Sequence, residues 1–392
     1  MKGIISYGAY IPYNRLQRKK IGEFFGKAAH RGEKAVAGYD EDSVSMGVEA
    51  ALDCLHGTNS QEIDAVYFAT TSAPYKEKGS VSTIAAALQL KENVRGIEAT
   101  SSLRSGTSAM LAANEFEQTL VIASDCRTGA PTGQNEQWFG DGAASFLIGH
   151  GSEVIANIID ASSVQGEVVS EWRSQTDSFT QNWEERLGST VFLKQVKEVV
   201  TPFLEKNNCT ADAINKVIIS GPGTRAHTQA ASAVGFQKNQ IQDPLFDSVG
   251  AAGNAHAPMM LVSALEEAKP GDKLLVVAFA EGLDVMLLEV TEAISRLAKR
   301  KGVQGYLTVK NDQTSYSDYL KWRNLLEIEP PRRPETDRPS APALYRGYHQ
   351  NLSFTGSKCR NCGTPQFPKQ RICTQCQVKD EMDDYRFVGQ SA

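Results

Sequence analysis

Two strand-like segments of this chain recur, in order, at nearly the same distance. Ala65-Val-Tyr-Phe-Ala-Thr-Thr, followed by an Ala-rich stretch, matches Lys216-Val-Ile-Ile-Ser-Gly-Pro and its own Ala-rich stretch at an offset of 151 residues. Gln118-Thr-Leu-Val-Ile-Ala-Ser matches Asp272-Lys-Leu-Leu-Val-Val-Ala at an offset of 154. Between the members of each pair lie a strand, a turn of small residues and a helix: IEATSSLRSGTSAMLAANEF in the first half, LFDSVGAAGNAHAPMMLVSALEEA in the second. Sequences of α/β proteins resemble one another at this level, but two near-equal offsets in the same order point to duplication.

The first ~300 residues alternate short β-branched runs with amphipathic Ala-rich stretches, the pattern of a buried sheet covered by helices. Strands are expected at Gly3–Tyr7, Ala65–Thr70, Gly96–Ala99, Thr119–Ser124, Ala144–Ile148, Val154–Ile159, Lys216–Ser220, Lys273–Phe279 and Val285–Val290. Helices are expected at Asp42–Leu55, Ser80–Leu88, Ser105–Phe116, Thr190–Lys206, His227–Val234, Ala257–Ala268, Thr291–Lys299 and Tyr316–Leu325. The formal net charge of −5 gives no reason to expect nucleic acid or an anionic membrane surface as a partner. No apolar stretch approaches the roughly 18 residues of a spanning helix, so no membrane span is expected. The seven cysteines form no disulfide-like framework, which points to a reducing, cytoplasmic setting.

Four of those cysteines stand as Cys359-Arg-Asn-Cys362 and Cys373-Thr-Gln-Cys376, separated by ten residues. Each CxxC knuckle turns two thiolates toward one point, and two knuckles complete a tetrahedral sulfur site suited to Zn²⁺. A redox pair and two disulfides are the competing readings, and the paired spacing favours zinc. With four protein ligands the ion has no open position, so its expected role is structural. Upstream, residues 329–342 carry five prolines in a charged stretch and read as an extended strap. The expected domains are 1–160 and 161–300 for the two halves, 301–350 for a helix and linker, and 351–392 for the ribbon.

The segments GAYIPYNRLQRK, VYFATTSAPY, IEATSSLRSGTSAM, VIASD, FGDGAASFLIG and GNAHAPMM, in this order, resemble the thiolase superfamily. The nearer resemblance is to its hydroxymethylglutaryl-CoA synthase and β-ketoacyl synthase III branch. It implies a duplicated α/β fold five layers thick. The stretch SFTGSKCRNCGTPQFPKQRICTQC resembles the ribbon of acyl-CoA-associated zinc-ribbon/OB-fold proteins. Only 16 residues follow Cys376, too few for an OB-fold, so that barrel is expected to be absent or the chain truncated.

Carried onto this chain, the family's nucleophilic cysteine falls on Leu103, its glutamate base near Thr71 and its histidine near Ser220. Its asparagine survives as Asn254, with His256 two residues on. Leucine cannot form a thioester, so an acyl-enzyme at position 103 is excluded. Amides at the helix turn near Leu103, together with Asn254 and a water, are expected to hold a thioester enolate while His256 or a tyrosine moves the proton. A core histidine capping a helix is the plainer reading of His256.

Cys126, beside Arg127, is a weaker candidate nucleophile and reads more readily as a small buried hydrophobe. Cys54 and Cys209 are weaker still. His227 reads as starting a surface helix, and His30, His56, His150 and His349 have no constellation around them. Asp141, between glycines, reads as a turn carboxylate bonding backbone amides. The basic runs Arg15–Lys20 and Arg296–Lys301 are either solvated faces or contacts for CoA phosphates.

The expected activity is making or breaking a carbon–carbon bond β to a CoA thioester without the usual cysteine. The alternative is a non-catalytic acyl-CoA-binding or scaffolding subunit. An acyl-CoA or acyl-carrier substrate, and a homodimer or a heteromer with a thiolase-fold subunit, are the partners the resemblance implies.

Overall fold

Each half is built around its own run of strands in the computed structural model, which describes residues 2–113, 116–167, 171–330, 332–333 and 338–389. The first half contributes β1 (Lys2–Tyr10), β2 (Ala65–Thr70), β3 (Arg95–Thr100), β4 (Gln118–Asp125) and β5 (Gly142–His150). The second contributes β6 (Ala156–Gln165), β7 (Lys216–Ser220), β8 (Lys273–Ala280) and β9 (Gly282–Val290). Their order is β7-β8-β9-β6-β1-β5-β4-β2-β3. Read outward from the middle, the halves mirror one another. β2 lies parallel to β3 and β4, β7 lies parallel to β8, and the remaining neighbours are antiparallel.

Among the described residues the two runs join only where Gly3 and Ile4 of β1 pair with Asn157 and Ala156 of β6. Glycine is required there, because a Cβ on Gly3 would lie 2.1 Å from the carbonyl oxygen of Ala156. Among the described residues the second half has no counterpart of β3. An isolated parallel bridge between Val217 and Ile241 stands in its place, so the strand expected after residue 240 does not form. Leu245 in that stretch takes a left-handed backbone, φ 58°, which an extended strand does not accommodate.

The strands are covered chiefly by helices α1 (Ser43–Cys54), α2 (Val81–Leu88), α3 (Ser105–Ala112), α4 (Glu185–Lys206), α5 (Thr224–Val234) and α6 (His256–Glu267), with α7 (Tyr316–Trp322) further along the chain. Alternation along the strands sorts them into layers. Val66 and Phe68 of β2 pack with the cluster of α1 and α2, whereas Tyr67 faces the cluster containing Met110 of α3 and Met259 of α6. Val217 and Ile219 of β7 face α4 and α5, whereas Ile218 joins the α3–α6 cluster. Five layers follow, with α3 and α6 in the middle. The wholly buried faces explain why these strands read as continuous apolar runs.

Several elements differ from expectation. α3 ends at Ala112, and residues 114–115 of the longer helix lie outside the described residues. Thr291–Lys299 yields only a 3₁₀ turn, Glu292–Arg296. An antiparallel pair, Asn14–Gln17 with Glu33–Val36, was not legible. Tyr316, Tyr319 and Leu320 of α7 pack against Leu16, Ile21 and Val36 beside it. Within the proline strap, residues 331 and 334–337 lie outside the described residues. No helix among the described residues is long and apolar enough to cross a membrane.

The ribbon forms a three-stranded sheet, with Thr355–Cys359 between Pro365–Gln366 and Met382–Arg386. It rests on α2, where Arg386 donates to the carbonyl of Ala87 at 2.6 Å and Gln89 Nε2 donates to Thr355 Oγ1 at 3.0 Å.

Candidate active site

The heads of α3 and α6 meet at the centre of the molecule. Gly106 N donates to Asn254 Oδ1 at 2.9 Å. Asp125, buried at the end of β4, binds both flanks of this junction. It accepts from Asn254 N at 2.7 Å, Thr71 N at 2.7 Å, and the hydroxyls of Thr70, Thr71 and Ser72 at 2.9–3.0 Å. Gly253 has φ +56°, and a Cβ there would lie 2.2 Å from Asp125 Oδ2. Small residues at this turn therefore let a carboxylate reach the backbone.

A second carboxylate fixes the head of α3 from the other side. Asp284 of β9 accepts from Arg104 Nη1 at 2.6 Å, Thr107 at 2.8 Å, and Ser108 and Ser163 at 2.7 Å. Arg104 also bonds Gln165 and, at 3.1 Å, the carbonyl of Glu281. Three amides of this turn are engaged within the protein, which narrows the expectation that the turn's amides are available to an oxyanion. Arg104 N donates to Ser102 Oγ, Ser105 N to Ser102 O and Gly106 N to Asn254. The Asp125 and Asp284 hubs left no sequence motif, since their partners lie 53–180 residues away in the chain.

Leu103, Ser220 and His256 line one cavity of about 1070 Å³. A second cavity, about 550 Å³, shares Leu103, Arg127 and Glu171 with the first and includes Thr71 and Cys126 in its wall. The fold thus brings the Leu103, Ser220 and His256 positions together. Asn254 is not among the lining residues, its side chain being engaged by Gly106 and, at 3.4 Å, Asp125.

His256 opens α6 and stacks on Phe246 at 4.8 Å, which in turn stacks on Trp138 at 4.4 Å. Burial, aided by the neighbouring His227 and Arg127, pushes its pKa down to about 3, so the ring is neutral near pH 7. Its Nδ1 stands 3.4 Å from Ala252 N and its ring also bonds the backbone of Gly250, while Nε2 is buried without a partner among the described residues. His227 is not on the surface as expected. It is buried, accepts from Gly221 N at 2.8 Å and is pushed down to about 4 by burial. It holds the turn after Ser220.

Cys126 lies 2.8 Å from Nη1 of Arg323, the residue just after α7, not beside the Arg127 guanidinium as expected. Arg127 instead lies over the Phe139 ring, 3.6 Å from its centroid. Burial pushes the Cys126 thiol up to about 12, which opposes a nucleophilic role. Asp141 accepts from Ala37 N and Arg127 N, as a turn carboxylate should, and also pairs with Arg323. Arg15 and Arg18 are buried and donate to backbone carbonyls, so this run is not a solvated face.

Comparison with known proteins places the arrangement. Residues 204–289 match the family described as 3-oxoacyl-[acyl-carrier-protein] synthase III C terminal. The structure superposes on an HMG-CoA synthase complexed with CoA at TM-score 0.72, with 16% identity over 82% of this chain and 89% of that one. It superposes on 3-oxoacyl-[acyl-carrier-protein] synthase III from Aquifex aeolicus at 0.67, with 19% identity over 74% and 100%. The chain has a thiolase-like fold. Among sequence relatives, a hydroxymethylglutaryl-CoA synthase of Caldivirga maquilingensis is 28% identical over 83% of this chain and 98% of its own length. One from Aeropyrum pernix is 28% identical over 83% and 95%.

The thiolase-like body carries a second recognisable unit. Residues 351–382 match the ChsH2 rubredoxin-like zinc ribbon family. There the four Sγ atoms of Cys359, Cys362, Cys373 and Cys376 lie within 4.8 Å of one another. Pairs stand 3.6 Å apart for Cys359–Cys376 and 3.5 Å for Cys362–Cys373. A tetrahedron with zinc–sulfur bonds of about 2.3 Å has edges of about 3.8 Å, so the four sulfurs fit that ion.

Proposed function

We propose that this protein binds an acyl-CoA thioester in the larger cavity and makes or breaks a carbon–carbon bond β to it, without an acyl-enzyme. The observation carrying this reading is the convergence of Leu103, Ser220 and His256 on one cavity, in a chain similar to hydroxymethylglutaryl-CoA synthases over most of its length. Leu103 supplies an apolar wall where a thioester nucleophile is absent. In its Nε2–H tautomer the neutral His256 ring donates to the thioester oxygen as negative charge develops there. The ribbon cysteines would hold Zn²⁺ in a structural role, tying two knuckles that the small sheet alone cannot fix. The edge strand β3, with Ile97 half exposed, offers a pairing edge for a second copy or a related subunit.

The test is turnover of a panel of β-hydroxyacyl- and β-ketoacyl-CoAs by the full chain, with intact-mass spectrometry for acyl adducts. Cleavage or condensation without an adduct is expected, and His256→Ala should lower the rate about 100-fold or more. A wild-type rate in that variant removes His256 from the chemistry. One observation favours the binding-only reading: the amides at the head of α3 are already bonded within the protein. Calorimetric binding of CoA esters with no turnover across the panel decides for it.

A further inference from the structure

Making or breaking a carbon–carbon bond beside a thioester needs a group that takes a proton and returns it. We propose that Glu281 is that group, a catalytic general base whose carboxylate stands in the wall of the smaller cavity beside Leu103. This inference rests on the thioester reading above and adds to it the residue that moves the proton, and with it a preference for β-hydroxyacyl thioesters.

The other groups around the cavities are engaged elsewhere or open to water. His256 is pushed down to about 3 by burial, so near pH 7 it can donate to an oxygen but does not hold an abstracted proton. Cys126 stays a thiol, pushed up to about 12. In the larger cavity Glu184 and Glu185 are exposed, and Asp247 pairs with Arg31 at 2.6 Å. Tyr75, in the wall of the smaller one, is exposed as well. Three carboxylates among the described residues line the smaller cavity: Glu98, Glu171 and Glu281. Glu98 Oε1 accepts from the amides of Ser80 and Val81 at the head of α2, and Glu171 Oε2 faces Arg127 at 3.2 Å. Glu281 differs from both. Its one side-chain hydrogen bond among the described residues comes from a neutral hydroxyl, Ser102 Oγ donating to Oε2 at 2.6 Å, and its second oxygen is left to the cavity.

Glu281 is also held in place from both ends. Arg104 Nη2 donates to its carbonyl at 3.1 Å. The next residue, Gly282, has φ +113°, and a Cβ there would lie 2.0 Å from the carbonyl oxygen of Val164. Ser102, which orients the carboxylate, immediately precedes Leu103, and Leu103 lines both cavities. A thioester whose oxygen meets His256 in the larger cavity therefore carries its β-carbon past Leu103 toward Glu281. In cleavage the carboxylate takes the proton of the β-hydroxyl and the Cα–Cβ bond breaks. The electron pair of that bond forms the thioester enolate, and the β-carbon leaves as an aldehyde or ketone. Protonated Glu281 then returns the same proton to Cα, so the shortened acyl-CoA is complete and the residue ends ionised as it began. Condensation runs these steps backwards, starting with removal of an α-hydrogen by Glu281.

The test follows exchange of the α-hydrogens of acetyl-, propanoyl- and butanoyl-CoA in D2O by mass spectrometry, using the full chain, beside calorimetric binding of the same esters. Wild type is expected to exchange at least one of them. Glu281→Gln, which keeps an acceptor for Ser102, should bind that ester within about threefold of wild type and exchange it about 100-fold more slowly. Glu281→Asp should recover part of the loss. Exchange by Glu281→Gln within about threefold of the wild-type rate would overturn the proposal. If that variant does not fold, Ser102→Ala carries the test: release of the carboxylate should slow exchange about tenfold with binding unchanged, and an unchanged rate overturns the proposal. The two levels fail differently. Exchange that survives Glu281→Gln removes this proposal alone, whereas wild type that binds the esters without exchanging or cleaving any removes the chemistry above it as well and leaves the binding-only reading.

Discussion

Arg104→Met is the sharpest test of how the head of α3 is held. Methionine keeps most of the volume and removes the charge, which faces Asp284 at 2.6 Å with side-chain exposures of 6% and 3%. Breaking a buried pair from one side costs about 3–5 kcal/mol, because the remaining charge is left without its counter-ion. Asp284 keeps three hydroxyl donors, from Thr107, Ser108 and Ser163, so the lower end, about 3 kcal/mol, is expected. In urea unfolding followed by tryptophan fluorescence, a slope of about 3 kcal/mol/M makes that a midpoint shift of about 1 M. Amide hydrogen exchange at Ser105–Thr107 should accelerate with it, since the Arg104 side chain ties the start of that helix to Asp284. Arg104→Met/Asp284→Asn should be less destabilised than the two single losses summed. A shift under about 0.2 M, or strict additivity, would refute the reasoning and make the pair a passive contact.

Other outcomes follow from the same geometry. Asn254→Ala strips Gly106 N of its acceptor and Asp125 of a donor, and a loss of about 2–3 kcal/mol is expected in the same unfolding assay; a neutral effect would show the junction of α3 and α6 to be held by packing alone. His227, at about 4 when folded and near 6.5 when unfolded, stays neutral in the native state, so its contribution is complete above about pH 7 and is lost as pH falls below 6.5. Glu266, pushed up to about 7 by burial, gains stability on the same descent, so the histidine is read as a difference. The stability gap between wild type and His227→Gln should narrow by about 1 kcal/mol from pH 7.5 to 5.5, and a constant gap would mean His227 titrates alike in both states. Chelation should remove about one zinc per chain and unfold the ribbon while leaving the main thermal transition in place. Loss of that main transition would show the ribbon to be part of the body's cooperative unit.

Local pattern was enough for much of the architecture. β2 and β7 run over the residues their sequence indicated, because a strand buried on both faces must be apolar throughout and ends where small or polar residues begin. The repeat was legible because each half has to cover its strands in the same way. The stretch after residue 240 misled, since hydrophobic composition alone does not reveal that Leu245 takes a left-handed backbone. His227 misled for a related reason: burial of a histidine depends on Phe246 and Gly221 being brought to it.

The sequence by itself determined the duplication, the four-cysteine ribbon, and the absence of a cysteine at position 103. Those are properties of residue type and spacing along one chain. Only the tertiary structure decided what surrounds Leu103. It spent the amides at the head of α3 on internal bonds, turned Asn254 toward Asp125, neutralised His256 by burial, and set Arg127 between two cavities. Each of these depends on charges and donors from distant segments meeting where water is excluded, and neither the meeting nor the exclusion is written in local sequence.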